Sequence, residues 1–123
     1  MSGISFSNPI GSYADMKILQ GKTLSIPMVW GGESPIDVSG FDANLCIKQQ
    51  YSDASDVAKF SVDNGRVSIG DVNGLILFTM TATDSAALPA PFYGVYEIEI
   101  TDASGVVYRA LSGPVAIEPE VCR

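Results

Sequence analysis

The chain has 123 residues, 46% of them hydrophobic, with 7 basic against 14 acidic side chains, no histidine and a net charge of −7. A domain of this length can bury a real core without metals or disulfides. The acidic balance repels phosphate backbones and anionic lipid, so no nucleic-acid and no membrane partner is expected. Without histidine there is no Ser-His or Cys-His nucleophile pair, and the commonest transition-metal ligand is missing.

Residues 1–10 contain no basic region and no apolar core of signal-peptide length. No later run approaches the roughly 18 apolar residues that span a bilayer. The expectation is a chain made in the cytoplasm and kept there unless a larger particle carries it out. Residues 1–13 read as an N-terminal arm or edge strand, with Ile4, Phe6 and Ile10 as its apolar side chains and Asn8-Pro9 and Gly11-Ser12 as its bends. Two uses are open to that segment. It can add to the open sheet edge of a neighbouring protein, or pair with its own domain as a first strand.

Residues 14–123 read as a single domain with almost no helical periodicity. Residues 14–19 fit a short edge strand. Residues 23–30 form a strand with Leu24, Ile26, Met28 and Trp30 on one face. Pro27 on the other face points to an edge position or bulge, because proline cannot donate to a ladder. In residues 43–50, Ala43, Leu45 and Ile47 alternate with Asn44, Cys46 and Lys48. Residues 57–62 follow, then an Asp63-Asn64-Gly65 turn and a hairpin made of residues 66–70 and 74–80. Residues 81–88 are the one place for a short helix, capped by Thr83 or Asp84 and ended by Pro89 and Pro91.

The longest pattern is a hairpin. Tyr96, Ile98 and Ile100 alternate with Val95, Glu97 and Glu99, Asp102-Ala-Ser-Gly105 turns the chain, and residues 106–111 return. In the returning strand Val107 and Leu111 are placed on one side and Tyr108 on the other. Gly113-Pro114 then reads as a turn into residues 115–117. Roughly eight short strands with turn signals about every ten residues indicate an all-β, two-sheet antiparallel sandwich, with a small barrel as the competing architecture. The expected core is Trp30, Leu45, Ile47, Leu75, Leu77, Tyr96, Ile98, Ile100 and Leu111.

Motifs for chemistry are few. Cys46 and Cys122 form no CxxC unit, and the reading is one buried thiol and one tail thiol rather than a disulfide. Glu97 and Glu99 share a face about 7 Å apart, a spacing usable by a carboxylate pair but equally natural on a solvated outer face. Asp71-Val-Asn-Gly74 and Asp63-Asn-Gly65 resemble fragments of calcium loops without the remaining ligands, and tight turns favour the same residues. Trp30, Phe41, Phe78, Tyr93 and Tyr96 suit either a core or a sugar-stacking platform, and alternating strand aromatics are chiefly core. No catalytic residue, cofactor or metal is assigned.

Several segments taken in order carry a resemblance. Gly21-Lys-Thr-Leu24 leads into Val29-Trp30 and Pro35-Ile-Asp-Val-Ser-Gly-Phe41, and Asn64-Gly-Arg-Val-Ser-Ile-Gly70 precedes Gly74-Leu-Ile-Leu77. Thr83-Asp-Ser-Ala-Ala-Leu88 precedes Tyr93-Gly-Val-Tyr-Glu-Ile-Glu-Ile100, and Gly105-Val-Val-Tyr-Arg-Ala-Leu-Ser-Gly113 runs to Pro119-Glu-Val-Cys-Arg123. The chain resembles the small Ig-like virion-associated proteins of tailed bacteriophages and prophages. In that family the tail commonly reads Pro-x-Val-Thr-Arg, so Cys122 stands where threonine is usual. A more distant likeness is an upper-baseplate protein with an Ig-like N-terminal domain. The resemblance implies an Ig-like antiparallel β-sandwich of about seven to nine strands with at most one short helix. It also implies a non-enzymatic virion part (tail, baseplate or fibre accessory, or capsid decoration) that contacts other virion proteins in multiple copies. The alternative is an adhesion module for a host-surface glycan or protein.

Overall fold

The structure is a computed structural model describing residues 4–6, 12–30, 37–70 and 74–122. Its elements are β1 (Ile4–Phe6), β2 (Ser12–Tyr13), β3 (Met16–Leu19), β4 (Leu24–Trp30), β5 (Asp42–Lys48), β6 (Ala58–Ser61), β7 (Val67–Ile69), β8 (Leu75–Met80), α1 (Ala82–Ala86), β9 (Phe92–Thr101) and β10 (Val107–Glu118). The smaller sheet has the order β1-β4-β8-β7; the larger has β2-β10-β9-β5-β6, with β3 also pairing β10. Each sheet keeps two edges and shares no strand with the other, so the architecture is a sandwich and not a barrel.

The ten described strands exceed the expected seven to nine because the N-terminal segment contributes three short ones. These three pair parallel, β1 with β4 and both β2 and β3 with β10, while every other pairing is antiparallel. The first segment thus runs beside β4 in one sheet and crosses to β10 in the other. With the orders β1-β4-β8-β7 and β10-β9-β5-β6, this is the immunoglobulin-like arrangement. Antibody domains join the two sheets by a disulfide. Here β4 and β9 bring apolar side chains such as Met28 and Ile98, both fully buried, and Cys46 and Cys122 are free.

Period-two patterning explains most of the core. Ala43, Leu45 and Ile47 of β5, Tyr96, Ile98 and Ile100 of β9, and Leu111, Val115 and Ile117 of β10 form the inner face of the larger sheet. Ile26, Met28 and Trp30 of β4 face them together with Ile76, Phe78 and Met80 of β8. Two expected core residues are therefore misplaced. Leu75 is exposed and Leu77 half-buried, because β8 is paired with Ile26 opposite Phe78 and Met28 opposite Ile76. Residues 75–78 are apolar without alternation, so only the partner strand sets their phase.

Three local readings change as well. The bulge between Arg109 and Leu111 inserts Ala110, so Tyr108, opposite Ile100, and Leu111, opposite Ile98, share the inner face. Tyr108 packs on Trp30 with ring centroids 5.9 Å apart, and Val107 is exposed. No turn forms at Gly113-Pro114; β10 continues through both residues to Glu118. The helix is capped by Thr81, whose hydroxyl accepts from Asp84 N at 3.1 Å, rather than by Thr83 or Asp84. Pro27 sits inside β4, opposite Leu77 of β8 and one residue before Met28, the first β4 residue with a described β1 partner.

Tyr96 ties the larger sheet to its N-terminal edge. Its ring is 1% exposed and its hydroxyl donates to the Ala14 carbonyl at 2.7 Å. The contact differs from the tyrosine corner of immunoglobulin domains, whose hydroxyl bonds backbone a few residues upstream; Tyr96 reaches a residue 82 positions away. Burial, with Tyr51, Asp15 and Tyr13 nearby, pushes the hydroxyl up to about 12. An unfolded tyrosine ionises near about 10. The stability this difference supplies is complete below about pH 10 and is lost as pH rises through about 12. The melting temperature of the native chain is expected to fall more steeply over that interval than that of Tyr96→Phe. Parallel curves would remove the assignment.

Candidate interaction surfaces

The outward side of the larger sheet is built from the alternate positions of β5, β9 and β10. Register places Lys48 and Pro114 on either side of Val95, Cys46 and Ser112 on either side of Glu97, and Ala116 beside Tyr93. Short outward side chains (Cys46, Val95, Pro114, Ala116) leave the floor low while longer ones rise around it. Two shallow hollows result. One, of about 280 Å³, is lined by Cys46, Lys48, Tyr51, Val95, Glu97 and Arg109. The other, of about 290 Å³, is lined by Asp15, Met16, Lys17, Tyr93, Pro114 and Ala116. Tyr93 is 75% exposed, and Tyr51 and Tyr13 are also exposed.

Several charges on this face are paired. Arg109 is bonded to Glu97, Lys17 lies 3.3 Å from Glu118, and Lys48 donates to the Asp53 carbonyl at 2.8 Å with Asp56 at 3.9 Å. Glu97 is thus held by a guanidinium, and Glu99 stands between Asn44 and Arg109 in the register. This arrangement is that of a solvated strand face. Cys46 lies on the same face and is half-buried, not fully buried as expected. Burial pushes its thiol up, with Asp56 adding to the effect. Among the described residues no group of three or more His, Cys, Asp or Glu could hold a metal ion, and no helix is long and apolar enough to cross a membrane.

The free edge of β6 is closed by its own turn. The Lys59 carbonyl accepts from Asn64 Nδ2 at 2.8 Å and from Arg66 Nη1 at 3.0 Å, while Asn64 Oδ1 accepts from Ser61 N at 3.0 Å. Side chains thereby occupy groups that a foreign strand would need. The Asp63-Asn64-Gly65 segment is a turn, with Gly65 at φ +79°. Residues 71–73 of the second calcium-like fragment lie outside the described residues.

No protein-family profile and no curated protein matches the chain. Solved structures do. The N-terminal domain of phage TP901-1 ORF48 superposes with a TM-score of 0.52 at 13% identity, covering 96% of this chain and 99% of that one. The two share a fold from end to end. The extracellular domain of the voltage-gated sodium channel beta4 subunit, described as a parallel homodimer, gives a TM-score of 0.43 at 10% identity over 91% of this chain and 96% of its own. Drosophila OTK extracellular domains 3–5 give 0.39 at 14% identity, over 92% of this chain and 35% of that one.

The structure places the named arm residues as follows. Ile4 and Phe6 lie in β1, at register positions opposite Met28 and Trp30 of the same chain, and Ile10 lies outside the described residues. Of the five aromatics considered for stacking, Trp30, Phe78 and Tyr96 are buried and Phe41 packs against the core, which leaves Tyr93 outward. Sequence reasoning did not single out Tyr13 and Tyr51. Both sit at strand ends or in loops, where alternation gives no signal.

Proposed function

We propose that this chain is a non-enzymatic structural component of a bacteriophage particle, associated with the tail, baseplate or fibre, present in several copies and bound to other virion proteins. The observation that carries the reading is the end-to-end fold match with a phage protein domain, which agrees with the resemblance read along residues 21–123. The outer face of the larger sheet supports it, with exposed tyrosines over a low floor and charges at the rim, as in protein interfaces. Its location is the virion after synthesis in the host cytoplasm. The test is to purify particles of the phage or induced prophage that encodes the chain and to probe them by mass spectrometry and immunogold labelling. The chain is expected in fixed ratio to tail proteins, with label on the tail. Label over the shell would assign it to capsid decoration, and its absence from particles would refute the proposal.

A second reading rests on Tyr51 and the ion-paired Glu97 and Arg109 around one hollow, a set that can stack and hydrogen-bond a sugar. An adhesion module of this kind binds host cells or glycans as purified protein, without any particle.

A further inference from the structure

The turn after β6 holds a reactive pair that neither functional reading uses. Asparagine followed by glycine can lose its side-chain amide without an enzyme. Gly65 N, deprotonated by hydroxide, attacks Asn64 Cγ and closes a five-membered imide ring. The Cγ–Nδ2 bond breaks, and the nitrogen leaves as ammonia with a proton from water. Water then opens the ring at one carbonyl or the other, leaving aspartate or its isoaspartyl isomer. The balance is one amide plus one water to one carboxylate plus one ammonium, with no redox change. Access is free here: residues 62–65 are exposed, and a β-carbon built on Gly65 would meet nothing within 4 Å.

The folded turn opposes the reaction. Gly65 N–H donates to the Val62 carbonyl at 3.1 Å, a bond that an imide nitrogen, having no hydrogen, cannot make. The departing Nδ2 donates to the Lys59 carbonyl at 2.8 Å, and Oδ1 accepts from Ser61 N at 3.0 Å and from Arg66 N at 3.1 Å. We propose that Asn64 is a deamidation site which the fold holds unreacted, and that its conversion unlatches the β6 edge of the larger sheet. The Lys59 carbonyl and both main-chain groups of Ser61 point away from β5, as their bonds to residues 64 and 66 show. Aspartate has no N–H to give, so an anionic oxygen would stand against the Lys59 carbonyl. Arg66 Nη1, at 3.0 Å, would be left to hold that carbonyl alone while Nη2 of the same guanidinium bonds Asp84. The isoaspartyl product goes further. It adds a carbon to the backbone between Ser61 and Arg66, whose main chains meet at 3.2 Å. The lost ammonia does not return. A chain that has opened and reacted therefore refolds with main-chain groups offered to a foreign strand.

Ageing of the full chain in mildly alkaline buffer, folded and in denaturing urea, tests the proposal. Trypsin cuts after Lys59 and Arg66 and so isolates residues 60–66, apart from the second Asn-Gly pair at 73–74. The amide-to-acid mass gain in that peptide is expected to be about tenfold or more slower in the folded chain, because ring closure there forfeits two hydrogen bonds. Equal rates would overturn the protection, and no gain in urea would remove the site. The latch is read by amide hydrogen exchange. The fraction reacted at Asn64, separated by its added negative charge and refolded, should exchange the Ser61, Gly65 and Arg66 amides about tenfold faster than the native chain. Asn64→Asp reproduces the aspartyl product without ageing and should move in the same direction. Asp63→Asn, one residue away, should leave those amides at native rates. Native exchange in both the reacted chain and Asn64→Asp would show that the Asn64 amide does not close the edge.

Discussion

Phe78→Ala is expected to lower the stability of the domain by about 3–5 kcal/mol, the usual cost of emptying a packed aromatic site. Leu77→Ala, one position earlier, should cost less, about 1–2 kcal/mol, because its partly buried side chain lies on the outer face and leaves no enclosed cavity. Phe78 is fully buried, with Ile26 opposite it on β4 and Val67 opposite it on β7. Leu77 stands on the outer face between Pro27 and Ser68. Urea unfolding of the two variants and the native chain gives both values directly. Equal losses, or a larger loss at Leu77, would mean that β8 presents its other face to the core.

The same strand shows where sequence reading works and where it stops. In β9 the order Tyr96-Glu97-Ile98-Glu99-Ile100 alternates apolar with charged residues, and burial follows it residue by residue. In β5 the contrast is weaker, yet Asn44 and Lys48 still mark the outer side. β8 has no polar residue between Leu75 and Phe78, so both phases look alike from the chain alone. What decides the phase is β4, whose own alternation is clear. Gly113 and Pro114 mislead for a different reason, since the pair commonly marks a turn. Here the glycine is needed for a neighbouring backbone, and the proline sits at the gap between the β2 and β3 pairings. The Ala110 bulge has no local signature. The exposed Tyr13 and Tyr51 lie in a two-residue strand and in a loop, where alternation carries no signal.

Gly113→Ala should be among the most damaging single-methyl additions available in this chain. A β-carbon at residue 113 would run into the carbonyl oxygen of Ala14, with the Ala14 carbonyl carbon only 3.0 Å away. Neither side can retreat cheaply. Ala14 N donates to Ser112 O at 3.0 Å, and the same Ala14 carbonyl receives the Tyr96 hydroxyl at 2.7 Å. On the other side, Gly113 is held opposite Tyr96 in the β9–β10 ladder. Moving Ala14 aside thus loosens β2 and β3 together, the strands that lie against β10. The expected loss is about 2–4 kcal/mol, combining an overpacking cost of about 1–3 kcal/mol with about one hydrogen bond. Gly105→Ala is the control. It has φ +90° but open space around it, so only the backbone penalty of roughly 1–2 kcal/mol applies. The decisive measurement is a double-mutant cycle. Gly113→Ala and Tyr96→Phe both act through the Ala14 carbonyl, so the double variant should lose less than the two single losses added together. Strict additivity, or a Gly113→Ala loss under about 0.5 kcal/mol, would show that the Ala14 backbone yields freely and that Tyr96 and Gly113 do not share it.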